Sequence, residues 1–298
     1  MKIILTAENP QLYSSQRLFE EAKNLGLIFE YLNPLQSKIK LCREDGQQRR
    51  EQDTLCLHRS TGIRFDDFDL CLARQLQTEG ASIINPLETI TMLRDKLSQH
   101  LFFFNHQIPA IETYALRGRI DSDEISSIAD QFSKKSKTEK YIVKTERGNK
   151  GIGVNLLESK RSLLGLLETF WGMQDQRFII QPYLPGDEYR VLIINGDVSG
   201  IILKETKNDQ YRKNANRASG EYRLPHQVPS AVLDVALDCF KKTGAVVAGI
   251  DLIENEFGIF VLECNLVPGF ELMENLSKKN HAQEIILAAI DYHQRRKQ

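Results

Sequence analysis

Three oxygen-bearing side chains stand in apolar company within residues 246–269, which read VVAGIDLIENEFGIFVLECNLVPG. Asp251 lies between Ile250 and Leu252, and Glu263 and Asn265 flank Cys264 in a second apolar run. Side chains on a strand alternate faces, so Glu263 and Asn265 point one way and Cys264 the other. A matching register between the two runs would turn Asp251 toward the same spot. Two carboxylates and an amide oxygen suit a hard divalent cation such as Mg²⁺, which takes oxygen ligands and commonly bridges to nucleotide phosphates. The plainer reading is a solvated strand edge, and these residues alone leave both open.

A second set of residues could handle phosphate. Lys144 ends an apolar YIVK run, and residues 146–153 then read ERGNKGIG. Glycines at 148, 151 and 153 allow backbone N–H groups to approach phosphate oxygens closely, and Lys144 and Lys150 add positive charge. A solvated hairpin tip fits the glycines equally well. Two familiar phosphate loops are excluded: there is no GxxxxGK[ST], and no HRD catalytic loop, since His58-Arg59 is followed by Ser60. Lys96, in Arg94-Asp95-Lys96, opens a helix where the helix dipole does not favour a cation, which hints at an anionic partner against the commoner surface lysine. Residues 208–222 are polar and basic, with Arg212, Lys213, Asn214 and Arg217. A solvated loop is the default there, and binding of carboxylate or phosphate by the planar guanidinium is the functional alternative.

These groups need elements to hold them. Residues 2–6 read as a buried strand, and residues 12–25 as a helix with Leu12, Leu18, Phe19, Ala22 and Leu25 on one face, stopped by Gly26. Strands at 27–32, 54–57 and 83–84, with a helix at 65–79, continue the alternation expected of a parallel α/β sheet. No GxGxxG follows the first strand, so a dinucleotide site has little support. Asn85-Pro86 marks a boundary, and the charge-rich residues 38–52 read as an exposed excursion with no partner assigned. Residues 178–184, FIIQPYL, run from a strand into a connector stiffened by Pro182 and Pro185. The next strand places Glu188 and Arg190 on one face, and Gly196-Asp197 turns it back into a strand over 198–203. Residues 254–258 form the polar turn of a hairpin. A helix capped by Ser230 and a final helix over 282–294 read as structural, and His281 and His293 as surface residues rather than ligands.

The 41% hydrophobic and 27% charged shares are those of an ordinary globular chain. A formal net charge of −1 gives no basic field for nucleic acid. No apolar run approaches the ~18 residues of a membrane span, and the opening apolar run is too short for a signal segment. Five cysteines without a CxxC pair fit reduced thiols in a cytoplasmic protein.

The order of features carries more than any one of them: RDK, a strand ending in lysine, a glycine loop, QPYL, ExR, an RxNxxR loop, and finally GID and LECN. Taken together, over residues 85–269, this series resembles the ATP-grasp superfamily and, within it, the RimK-like amino-acid ligases. The resemblance implies an α/β chain, α+β in its C-terminal part, with an ATP-grasp fold behind a small N-terminal parallel α/β domain. The implied divisions are 1–86 (N-terminal domain), 87–181 (central subdomain with the glycine loop) and 182–298 (C-terminal subdomain with the metal site). It implies that Lys96 and Lys144 hold the nucleotide's phosphates under a loop containing Gly148, Gly151 and Gly153. It further implies that the backbone of Gln181, Pro182, Tyr183 and Leu184 reads the adenine edge and that Glu188 binds the ribose. Asp251, Glu263 and Asn265 become ligands of two Mg²⁺ ions (Mn²⁺ as the alternative), with Glu263 bridging, and Arg190, Arg212, Asn214 and Arg217 surround the γ-phosphate and the carboxylate substrate.

Two departures stand out: residues 217–220 read RASG where relatives more often carry adjacent glycines, and Pro182 stands where an acidic residue is frequent. The implied activity is ATP-dependent joining of a carboxylate to an amino-acid amine through an acyl phosphate, glutamate being the model amine. The acceptor is a small molecule, a protein terminus or a carrier protein, and the assembly a homodimer or homotetramer. A non-catalytic ATP-binding regulator of the same fold is the alternative from another class, and formation of a phosphorylated product without an amide is a third.

Overall fold

Strand β1 (Lys2–Thr6) is buried on both faces, Ile3 and Leu5 on one side and Ile4 on the other, as a strand inside a helix-covered parallel sheet must be. Around it β2 (Ile28–Leu32), β3 (Thr54–His58) and β4 (Ser82–Ile84) complete a parallel sheet of order β2-β1-β3-β4. Helix α1 (Tyr13–Asn24) covers one face, and α2 (Phe68–Thr78) the other. The computed structural model describes residues 1–39, 53–60, 66–118, 121–148, 153–172, 177–204 and 219–297. Gly151, Lys150, Arg212, Lys213, Asn214 and Arg217 lie outside the described residues, as does most of the 38–52 segment.

Past the first sheet, α3 (Leu87–Leu93) and α4 (Lys96–Asn105) meet at Arg94-Asp95. The Asp95 carboxylate accepts the Ser98 N–H at 2.7 Å, an N-cap that starts α4 at Lys96. A second, antiparallel sheet runs β5-β8-β6-β7, from β5 (Tyr114–Arg117), β6 (Tyr141–Thr145), β7 (Val154–Leu157) and β8 (Arg177–Pro182). Helices α5 (Ser122–Ser136) and α6 (Lys160–Gly172) bury Ile125, Phe132, Leu163 and Leu167 against it.

The third sheet is antiparallel and runs β11-β10-β9-β12-β13, from β9 (Asp187–Ile194), β10 (Asp197–Lys204), β11 (Gly220–Arg223), β12 (Val247–Asn255) and β13 (Gly258–Asn265). Asn195 and Gly196 turn β9 into β10 with positive φ at both positions (53° and 94°), the geometry of a tight primed hairpin. Helix α7 (Ser230–Thr243) backs this sheet, and α8 (Glu271–Ser277) and α9 (His281–Arg295) follow it. Among the described residues no helix is long and apolar enough to cross a membrane.

Three local expectations change. Pro229 holds the N-cap position of α7 without a side-chain cap, and Ser230 is its first helical residue. His281 and His293 are buried, 0% and 1% exposed. Helical spacing sets them on the inner face of α9 with Ile285 and Ala289, and serines satisfy the rings there: Ser199 Oγ lies 2.6 Å from His281 Nδ1, and Ser82 Oγ 2.7 Å from His293 Nδ1. Asn85 is more than a boundary. Its Oδ1 accepts the Val246 and Val247 N–H groups at 2.7 and 2.8 Å, and its Nδ2 donates to the carbonyls of Val247 (2.8 Å) and Leu266 (3.3 Å). One amide thereby ties the chain after β4 to both ends of the β12–β13 hairpin.

Candidate active site

The hairpin register settles which residues share a face. Asp251 pairs with Glu263 and Gly249 with Asn265, so the three oxygen-bearing side chains emerge together. The register shifts between Asp251 and Leu252, where Leu262 is the extra residue on β13, a bulge of the kind that re-aims side chains beside functional sites. On the other side of β12, Asp251 pairs with Arg190 and Ile253 with Glu188. On β10, Lys204 pairs with Glu188. One patch across four strands therefore carries Lys204, Glu188, Arg190, Asp251, Glu263 and Asn265.

Within it Asp251 is 2% exposed and fully engaged. Arg190 Nε and Nη2 donate to its two carboxylate oxygens at 2.7 Å each, and Lys204 Nζ donates to Oδ2 at 2.7 Å. Burial works to raise the Asp251 carboxyl, but the guanidinium and the ammonium outweigh it and hold the group far below the carboxylate range. Burial likewise works against the Arg190 charge, and Asp251, Glu263 and Glu188 more than restore it. Glu263 is different. Among the described residues no side chain hydrogen-bonds to it, yet its charge acts on Lys96, Lys144 and Arg190. Asn265 Oδ1 accepts the Val267 N–H at 2.8 Å and keeps a second lone pair.

The two candidate phosphate lysines face Glu263 from the other side. Lys96 sits in the first turn of α4, its amide held by the Glu146 carbonyl at 3.1 Å and its Nζ 3.4 Å from the Gly148 carbonyl. Lys144 is on β6. Burial lowers both ammonium groups, Lys144 to about 8; Glu263 works against this at both, and Lys96 adds to the lowering of Lys144 by like-charge repulsion. The glycine loop closes at Gly153, where φ is +78° and an added Cβ would lie 2.1 Å from Thr145 Oγ1, so no other residue fits there. Gly186, after the connector, approaches the Glu254 carbonyl so closely that a Cβ would lie 2.4 Å from it.

In the connector the Tyr183 N–H is spent on the Lys140 carbonyl at 2.9 Å. The Gln181 side chain turns inward, donating to Thr113 Oγ1 at 2.7 Å and to His100 Nε2 at 3.2 Å. That bond makes Nε2 an acceptor and leaves the His100 proton on Nδ1, which faces Thr113 Oγ1 at 3.4 Å. Burial, with Lys144 and Lys96 adding to it, pushes His100 down to about 3, so the ring is neutral.

Three contributors escaped the sequence reading. Lys204, read as lying just past its strand, is the last residue of β10 and completes the ion cluster. Gln99 is buried and grips β13: its Oε1 accepts the Cys264 N–H and its Nε2 donates to the Cys264 carbonyl, both at 3.0 Å. His100 orients the connector strand. Their signal was present, since Lys96, Gln99 and His100 fall at i, i+3 and i+4 and so share a helix face. Behind the patch, Cys264 points away from Glu263 and Asn265, as the alternation requires. Its thiol hydrogen-bonds with that of Cys239 on α7, and this bond together with burial pushes it well above the usual thiol range. Both are free and buried.

The donor set fits a hard cation. Among the described residues no three His, Cys, Asp or Glu side chains gather to hold a metal, and Asn265 adds an amide oxygen to the two carboxylates. Among the described residues Glu263 brings a carboxylate with no hydrogen-bonded side-chain partner, and Asp251 contributes only lone pairs not used by Arg190 and Lys204.

Similarity to known proteins extends over most of the chain. The model for the RimK-like ATP-grasp domain matches residues 93–290. A probable alpha-L-glutamate ligase of Coxiella burnetii is 27% identical over 295 residues, covering 96% of this chain and 94% of its own. The crystal structure of a RimK domain ATP-grasp protein from Sphaerobacter thermophilus superposes with a TM-score of 0.72 at 16% identity, covering 96% and 98% of the two chains. The ATP-grasp ligase PsnB, solved with a minimal precursor, Mg and ADP, gives 0.69 at 16%, covering 98% of each.

Proposed function

The chain belongs to the RimK-like ATP-grasp family and is an ATP-dependent ligase, and from that premise we propose that it joins a carboxylate to the amine of an amino acid such as glutamate through an acyl phosphate. The observation that carries this reading is the opposition of Lys96 and Lys144 to Glu263, beside the Arg190–Asp251–Lys204 cluster. A carboxylate resists attack by an amine because oxide is a poor leaving group. Phosphorylation supplies a better one, and phosphoryl transfer asks mainly for positioning and charge stabilisation rather than a side-chain nucleophile.

Each part has a role in that chemistry. Lys96 and Lys144, partly stripped of water, hold the phosphates, with Gly148, Gly151 and Gly153 in the loop over them. The backbone of Gln181, Pro182, Tyr183 and Leu184 meets the base, and Glu188 the ribose. Glu263, Asn265 and Asp251 would hold Mg²⁺, which when bound neutralises phosphate charge; the Mg and ADP of the PsnB structure support this choice of ion. Arg190, its plane fixed by the two-point bond to Asp251, presents its remaining N–H donors to the transferred group, and Arg212, Asn214 and Arg217 receive the carboxylate substrate. Neutral His100 steadies the connector without adding a third positive charge beside the lysines. The division into 1–86, 87–181 and 182–298 belongs to the same reading, and the three sheets support it.

The name of the Coxiella relative supports glutamate as the amine, and the precursor bound to PsnB supports a peptide or protein acceptor as well as a small molecule. The test is ADP release from Mg-ATP with a pool of amino acids, followed by product mass. Amine-dependent ADP release with a product heavier by one residue is expected, and Glu263→Ala should abolish it. Nucleotide binding without amine-dependent ADP release would overturn the ligase reading in favour of a regulatory one.

A further inference from the structure

In an open α/β sheet, ligands settle beyond the carboxyl ends of the strands where the strand order reverses direction. The first sheet reads β2-β1-β3-β4, so its reversal lies between β1 and β3. Those strands end side by side at Thr6 and His58, which pair in register, and the Arg59 N–H donates to the Thr6 carbonyl at 2.8 Å.

Arg59 then leaves the sheet toward the site. Its Nη2 donates to the Pro268 carbonyl at 2.8 Å, and its guanidinium lies 5.8 Å from the centre of the Phe270 ring. Pro268 follows Asn265 by three residues, so this crevice opens on the end of β13 that carries Glu263 and Asn265. Other arginines in the structure have carboxylates: Arg17 has Glu20, Glu21 and Glu274, Arg94 has Asp69, and Arg190 has Asp251. Among the described residues Arg59 has none, and burial alone lowers it to about 10. Among the described residues, four of its five N–H donors are left for something other than Pro268.

On the opposite face of the sheet, His58 is held by Asp69 at 3.0 Å, which fixes the end of β3 from which Arg59 departs.

We infer that Arg59 binds a carboxylate of the amino-acid substrate that does not itself react. A planar fork already fixed at one corner by Pro268 and along its face by Phe270 is built for a planar two-oxygen anion. The spectator carboxylate is the suitable one, because the reacting carboxylate loses its charge during turnover while an amino acid keeps its own. Arg59 is thus a specificity residue in the first sheet for a reaction carried out on the third, an assignment that rests on the ligase reading.

The test uses the full chain with L-glutamate as probe, in calorimetric binding and in ADP-release kinetics. Arg59→Met is expected to weaken glutamate binding and raise its KM at least thirtyfold, with KM for ATP within twofold. Arg59→Lys, which keeps the charge and the reach to Pro268 but loses the fork, should raise KM about tenfold at an unchanged melting temperature and covers the case in which Arg59→Met does not fold. Wild-type protein that does not bind glutamate, or glutamate affinity untouched by Arg59→Met or Arg59→Lys, overturns the assignment and leaves Arg59 as a clamp on Pro268. Glutamate binding lost in Arg59→Met, without ADP release from the wild type, would uphold the subsite and sink the ligase reading instead.

Discussion

Lys144 illustrates how a single side chain is tuned by its surroundings. Burial, with Lys96 nearby, brings its ammonium down to about 8 against the pull of Glu263, so the free protein loses this charge as pH rises through 8. In the proposed function phosphate binding needs the charge, and above pH 8 it must therefore take up a proton. Nucleotide affinity is expected to fall by up to about tenfold per pH unit from pH 8 toward 10, while below pH 7 it is flat with respect to this group. Lys144→Arg, whose guanidinium stays charged throughout, should remove that slope even where its shape lowers affinity overall. Titrating nucleotide binding across pH 6.5–9.5 with both proteins reads the difference directly. Asp251 shows the opposite economy: engaged on both oxygens, it spends its charge on holding Arg190 and Lys204 in place, and Glu263 is the carboxylate with freedom to meet something else.

Among the elements, the β12–β13 hairpin could be read from sequence because its two apolar runs and polar turn are local, and the alternation that sets Glu263 and Asn265 against Cys264 is inherent in a strand. The pairing of Asp251 with Glu263 was legible only as a possibility, since register depends on a bulge at Leu262 that no local signal marks. The strand ends of the first sheet were equally plain, yet α3 was missed because Leu87–Leu93 carries no cap or glycine to announce it. The anchoring of β12 by Asn85 was invisible, for 161 residues separate the side chain from the Val246 amide it accepts. That anchor has a measurable worth. Asn85→Ala would strip the Val246 and Val247 amides of their acceptor within the core, and a loss of roughly 2–4 kcal/mol is expected from unsatisfied buried donors. Urea unfolding should register it as a lower midpoint at unchanged slope, with nucleotide affinity weakened because the hairpin carries Glu263.

At the scale of the molecule, one apolar cluster joins Ile3 and Leu5 of β1 to Leu192, Val247, Phe270, Ile286 and Ala289. Residues from the first and last tenths of the sequence thus share a core, a contact that periodicity cannot reveal and that buried His281 and His293 only make sense within. The same long-range packing brings the end of β3 to Pro268, and so created the crevice at Arg59 from pieces with no individual signature. It also set Cys239 of α7 against Cys264, on the reverse of the strand bearing Glu263 and Asn265. These two sulfurs are a built-in clock. A thiol reagent reaches them only during the moments when β13 lifts from α7, whereas exposed Cys71 reacts continuously and serves as the time base. Rates of mass gain at Cys264 therefore count the lifetimes of the closed strand, and saturating Mg-ATP should lengthen them about tenfold or more while the tick of Cys71 stays the same.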